Sequence, residues 1–149
     1  MRELPIEIDD AEKIVRAIKT PYHVNRQGNL KPSAFRPPPG KTVISVVRQM
    51  MGNDFCKNKA VEICGDAYLG LAVITASTIW AIGSQVYDER GDFIGHAHID
   101  HGFPSPSSHE PQCAVENERM HTRCKKFADA SVFHLDQSPT VPGWSGPQL

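Results

Sequence analysis

Hydrophobic and polar positions alternate along several short stretches of this chain, and that alternation predicts most of its elements. Ile14-Val15-Arg16-Ala17-Ile18 reads as a strand ended by Pro21, after a short turn that Asp9 and Asp10 cap. Thr42 to Arg48, rich in β-branched residues, is the clearest early strand. A hairpin-like pairing with Ser33-Ala34-Phe35-Arg36 across the Pro37-Pro38-Pro39-Gly40 corner is expected. Asn53 or Asp54 starts a helix to about Cys64, with Phe55, Ala60, Val61 and Cys64 as a partial apolar stripe, and Gly65 stops it. Tyr68 to Thr75 reads as a buried strand, Ser77 to Ile82 as a helical turn closed by Gly83, and Gln85 to Tyr87 as a polar-edged strand. Arg90-Gly91-Asp92 then turns the chain into a strand at Phe93 to Ile99. Gly102 to Pro111 is a Pro- and Ser-rich loop, and Gln112 to Ala130 carries Cys113, Met120, Cys124 and Phe127 at helical spacing.

Together these elements predict an α+β fold: a single domain over residues 1–137 with five or six short strands and two or three helices, its strand order left open by the pattern. From Ser138 onward, Pro139, Pro142, Gly143, Gly146 and Pro147 leave no periodicity, which predicts a flexible tail over 138–149.

A length of 149 residues supports one hydrophobic core and no separate second domain. Sixteen basic against seventeen acidic side chains, with no Lys/Arg run longer than two, leave no electrostatic footprint for nucleic acid or an anionic membrane. Leu69 to Ile82, the longest apolar-rich stretch, is broken by Thr75, Ser77 and Thr78 and falls short of the roughly 20 residues a membrane span needs. The first ten residues lack a basic region followed by an apolar core, and the four cysteines form no Cys-x-x-Cys pair. The expectation is a cytoplasmic chain with reduced thiols.

Seven of the chain's eleven His and Cys residues fall between His96 and Cys124, which singles out that region for chemistry. On an extended strand His96, His98 and Asp100 share one face, and His101 begins the following turn. Two imidazoles and a carboxylate suit zinc, manganese, iron or nickel, and three protein ligands with an open position describe a catalytic metal site. Zinc is the cofactor this composition favours. The competing reading takes the histidines as solvated side chains and Asp100 as a turn former beside Gly102. Cys113 and Cys124 share an apolar stripe with Met120 and Phe127 and read as core residues. Arg16, Arg36 and Arg48 lie on or beside three successive strand candidates, where guanidinium groups could converge on a phosphate or carboxylate. Gly40-Lys41-Thr42 lacks the glycine five positions earlier that a phosphate-binding loop requires.

Three resemblances accompany this reading. The string His96, His98, Asp100, His101 resembles the zinc motif of the metallo-β-lactamase superfamily over six residues. His96 and His98 are also similar to the His-x-His of JAMM-type zinc peptidases, where an Asp ligand follows eleven residues later. His109 stands at that position here, after Ser107 and Ser108. By that resemblance Glu62 is the upstream acid, and Glu62 or Asp100 would take a proton from a metal-bound water. Finally, Val15-Arg16-Ala17-Ile18, the Leu30 to Pro37 segment with Ser33-Ala34-Phe35-Arg36, Ile44-Ser45-Val46, Gly70-Leu71-Ala72 and His96-Ala97-His98-Ile99 resemble a pattern in a family of small uncharacterised bacterial proteins. That resemblance implies no activity, and it implies that Arg16, Phe35, Ser45 and His96 share a ligand-binding cleft.

The functional expectation is a small accessory or interaction module that binds a partner protein or a small ligand. The alternative is a metal-dependent hydrolase built on His96, His98, Asp100, His101 and His109.

Overall fold

The computed structural model describes residues 4–149. Among them the strands are β1 (Lys13–Lys19), β2 (Val43–Arg48), β3 (Tyr68–Thr75), β4 (Gln85–Asp88), β5 (His96–Asp100) and β6 (Val132–Leu135). The helices are α1 (Asn53–Cys64), α2 (Ala76–Ile82) and α3 (Ala114–Ala130). The strands form a single antiparallel sheet in the order β4-β5-β2-β1-β3-β6, so the chain is an α+β domain. No helix of the described residues is long and apolar enough to cross a membrane.

Strand alternation gives the sheet two working faces. On one face Ile14, Ile18, Val46, Ile74 and Ile99 pack against Phe35, Ile79 of α2 and Met120, Cys124 and Phe127 of α3. On the other, Val15, Val47, Leu71 and Val73 meet Cys56 and Ala60 of α1. Helix α1 lies mainly over β1 and β3. The same face of β4 and β5 is covered only in part, with Tyr87 exposed and His98 half-buried while His96 is buried. Helix ends fall at the sequence signals: α1 stops at Gly65 (φ 57°), and α2 begins where Thr75 Oγ1 accepts from Thr78 N–H and closes at left-handed Gly83 (φ 113°).

Three expectations change. Pro32–Phe35 is a 3₁₀ turn rather than a strand, because Pro at its first position starts the turn and burial of Ala34 and Phe35 holds it down. No hairpin crosses the proline corner; Pro39 instead bridges Ser105. Phe93 to Gly95 belongs to a turn, so β5 begins at His96. Edge strand β6, which pairs with β3 from Gly70↔Leu135 to Val73↔Val132, carried no periodic signal because neither of its faces is fully buried.

The segment from 138, expected to be a flexible tail, lies against α1. The fully buried Lys57 ammonium pairs with Asp136 at 2.8 Å and donates to the Ser138, Val141 and Gly143 carbonyls at 3.2, 2.9 and 3.0 Å. Although burial pushes the Asp136 carboxyl up, hydrogen bonds from Lys57 and Tyr68 hold it below the usual carboxylate range. Trp144 N–H donates to Asp54, and Leu149 is buried. An aperiodic segment can thus be held by one buried cation that collects its free carbonyls, which composition alone does not reveal.

A second buried cation closes the sheet. Arg48 is fully buried; its Nε and Nη2 grip both Glu12 oxygens at 2.6 and 2.7 Å, and its Nη1 donates to Asp88 at 2.7 Å. It also donates to the Pro5 and Glu7 carbonyls. Removing one member of a buried ion network leaves uncompensated charge. Arg48→Ala is expected to lose about 3–5 kcal/mol of unfolding free energy in urea denaturation. A loss below about 1 kcal/mol would mean the network behaves like an exposed surface pair.

Candidate functional site

The register of β5 on β2 sets Val47 opposite His96, Ser45 opposite His98 and Val43 opposite Asp100. The three polar side chains of β5 therefore face the α1 side, and Ala97 and Ile99 enter the core. Gly95 (φ 97°) makes the preceding turn, and a Cβ there would stand 2.6 Å from Met51 Cγ. Only glycine fits so close beneath that side chain in this conformation. The turn brings Asp92 back to His96, with Oδ2 3.2 Å from Nδ1.

Ligand atoms of Asp92, His96 and His98 all lie within 4.8 Å of one another, a group with the composition to hold a metal ion. His96 is almost buried, with the Phe93 ring at 4.8 Å and the His98 ring nearly perpendicular at 5.0 Å. The Tyr87 ring meets the edge of His98 at 5.7 Å, and the Lys59 ammonium sits 4.4 Å over Phe93. The Glu89 carbonyl lies 3.2 Å from His96 Nδ1. A carbonyl and a carboxylate only accept, so in the metal-free chain the proton between them sits on Nδ1. A metal bound through Nδ1 would have to displace that proton.

The other residues singled out from the sequence lie elsewhere. Asp100 Oδ1 accepts from Gly102 N–H at 2.8 Å, the turn-forming role. His101 points to the opposite face of the sheet, its ring 5.0 Å from Phe127. Its Nε2–H donates to the Phe35 carbonyl at 2.9 Å, and its Nδ1 accepts from Ser84 Oγ at 2.8 Å. Ser84 Oγ in turn accepts from Arg123 at 2.9 Å. Both nitrogens are occupied in a buried site, so His101 has no lone pair to offer a metal and does not join the cluster of Asp92, His96 and His98. His109 is exposed in the loop before α3, where Asn117 of that helix donates to the adjacent Ser108 carbonyl. Glu62 is exposed on α1 and pairs with Lys59 at 3.1 Å.

The three arginines do not converge. Arg48 is in the buried ion network, and Arg36 donates to Ser105 Oγ at 2.9 Å and Asn117 Oδ1 at 2.7 Å. Arg16 alone stays at the middle of the sheet, donating to the Ala34 carbonyl from Nε and to the Ser45 carbonyl from Nη1, each at 2.9 Å. Phe35 is fully buried 5.6 Å from Phe127, and His96 lies across β2 from Arg16; of the four residues expected to share a cleft, Arg16 and Ser45 are joined by a hydrogen bond. From the sequence Asp92 is only a turn residue. The Asp-x₃-His-x-His spacing, with Gly95 forcing the turn, is the signal that carries it.

Two buried histidines make stability depend on pH. Burial, then the charges of Arg16 and Lys19, lower His23 to about 4, and burial lowers His101. Between about 6.5, the unfolded value, and 4 the unfolded chain binds protons that the folded chain refuses, so stability rises with pH across that window. The melting temperature is expected to fall as pH drops through that window, and His101→Gln is expected to flatten the fall. An unchanged slope in that variant would contradict the assignment. Compared with family models, with curated proteins and with solved structures, the chain matches none.

Proposed function

We propose that this chain is a divalent-cation-binding module. Asp92, His96 and His98 hold one ion on the partly covered face of the sheet, and a donor group of a partner protein or small ligand completes its shell. The observation that carries the reading is the convergence of their three ligand atoms within 4.8 Å. Two ligand atoms bound to one zinc at about 2.1 Å stand roughly 3.0–3.5 Å apart, and the Asp92–His96 separation is already 3.2 Å. The Asp92 side chain is 67% exposed, so its carboxylate is free to follow the ion. Two imidazoles and one carboxylate favour zinc among the available cations, with manganese, iron and nickel as competitors. Three protein ligands leave a fourth position of a tetrahedral ion open toward solvent.

A bound water at that position would be acidified, which is the chemistry of the metal-dependent hydrolase reading. Glu62 makes no hydrogen bond or ion pair with any of the three ligands; its described partner is Lys59. The proposal is therefore binding through an open-shelled ion, with hydrolysis as the narrower alternative.

Zinc titration calorimetry tests it on the wild type and on Asp92→Asn, His98→Ala and Asp100→Asn. One zinc per chain is expected, at least about tenfold weaker in the first two variants and unchanged in Asp100→Asn. No stoichiometric zinc, or an equal loss in Asp100→Asn, would overturn the assignment.

A further inference from the structure

The sheet is not closed between its two central strands. β1 and β2 pair only at Ile14↔Arg48 and Val15↔Val47, whereas β1 pairs with β3 along its whole length and β2 with β5 over five positions. In the same register Ala17 would face Ser45, but the strands have parted there. On β2, Arg48 N–H bonds Gly95 and the Thr42 carbonyl accepts from His101, so even-numbered peptide groups turn to β5 and odd-numbered ones to β1. On β1 the Glu12 carbonyl accepts from Ala76, so odd-numbered groups turn to β2. The N–H and carbonyl groups of Ser45 and Ala17 are thereby turned into the split, where the Ser45 carbonyl accepts from Arg16. The peptide groups of Lys19 are met by His23, whose Nδ1 accepts from Lys19 N–H at 3.2 Å and whose N–H donates to the Lys19 carbonyl at 3.3 Å.

A cavity of about 50 Å³ opens in this split, lined by Arg16, Lys19, His23 and Ser45, with Val47 and Cys64 among its apolar wall. A single water centre needs roughly 10–15 Å³, so the space admits a few waters or one small anion. Its polar groups are mostly donors. Arg16 uses Nε and Nη1 on the Ala34 and Ser45 carbonyls, and Nη2 has no hydrogen-bond partner among the described residues. His23 accepts at Nδ1, so its neutral ring carries the proton on Nε2. No carboxylate lines the cavity, and Arg16 has no ion-pair partner among the described residues. Burial without a counter-charge pushes the Arg16 guanidinium down to about 10. Arg16 is half-buried, and a guanidinium drawn this far from water is normally paired; among the described residues no carboxylate meets it.

We propose that this split is a binding site for a small carboxylate of formate or acetate size, seated on the Arg16 guanidinium with the Ser45 and Ala17 amides beside it. A planar fork of N–H donors matches a carboxylate bidentately, and Lys19 at the rim adds long-range attraction. The site opens on the same face as the cation cluster, with β2 between them, and none of Asp92, His96 and His98 lines it. It therefore stands or falls independently of the proposed cation.

The test is a two-dimensional amide NMR titration with sodium formate, with sodium chloride at equal ionic strength as the control and sodium phosphate as the competitor anion. Saturable formate shifts are expected at Ala17 and Ser45, together with a rise of the His23 pKa from about 4, since a bound anion offsets Arg16 and Lys19. Lys19→Gln, an exposed position, is expected to weaken formate roughly two- to fivefold with the fold intact. Arg16→Lys, which keeps the charge but loses the fork, is expected to abolish saturation. Linear shifts, equal shifts with chloride, or a Lys19→Gln protein that binds formate unchanged would overturn the site. Tighter binding of phosphate than of formate would overturn its assignment to a carboxylate.

Discussion

The buried guanidinium of Arg48 is the constraint on which the arrangement of both candidate sites depends. Taking a guanidinium out of water costs several kcal/mol unless carboxylates and carbonyls surround it, so the segments that supply them must converge. Glu12 comes from the approach to β1, Asp88 from the end of β4, and the carbonyls of Pro5 and Glu7 from the N-terminal segment. Asp88 is held in turn by Arg90 at 2.8 Å, and hydrogen bonds from Arg90, opposed by burial and reinforced by Arg48, keep its carboxyl below the usual range. The turn that begins at Asp88 is thereby fixed at its base, and that turn carries Asp92 to His96.

The same clamp zips β1 to β2 at one end and leaves them apart at the other. Strand β2 then has a different neighbour on each side. Toward β5 its register sets His96 and His98 on the α1 side; toward β1, beyond the pairing at Val47, the Ser45 carbonyl is met by the side chain of Arg16 rather than by a strand. Two candidate sites of opposite chemistry flank one strand. Imidazole and carboxylate favour a cation, whereas guanidinium, ammonium and amide N–H favour an anion. Helix α1 covers the apolar part of the sheet face it packs on and leaves the β5 side covered only in part.

Much of the fold was legible because the strands alternate and the helices stop at glycine. Gly65 and Gly83 ended α1 and α2 where the sequence placed the stops. What escaped had no local signature. β6 is half-exposed on both faces, and the segment after 138 is held by Lys57, whose carbonyl partners lie 81 to 86 residues away in the chain. In the candidate site His96 and His98 were legible as a pair on one strand face. Asp100 and His101 were read as extending that pair, but strand alternation sends His101 through the sheet to Ser84 and Phe35, and Asp100 is spent on its own turn. The third residue of the cluster, Asp92, came from the preceding turn, because only the φ of Gly95 and the closeness of Met51 reveal how sharply the chain folds back.

The central claim is that Asp92, His96 and His98 share one ion. Anomalous diffraction from crystals soaked in zinc, collected on both sides of the zinc absorption edge, tests it most directly. The account predicts one strong peak within about 2.0–2.2 Å of a His96 nitrogen, a His98 nitrogen and an Asp92 oxygen. A peak at Asp100 or His109, or none at this cluster in zinc-saturated crystals, would contradict it.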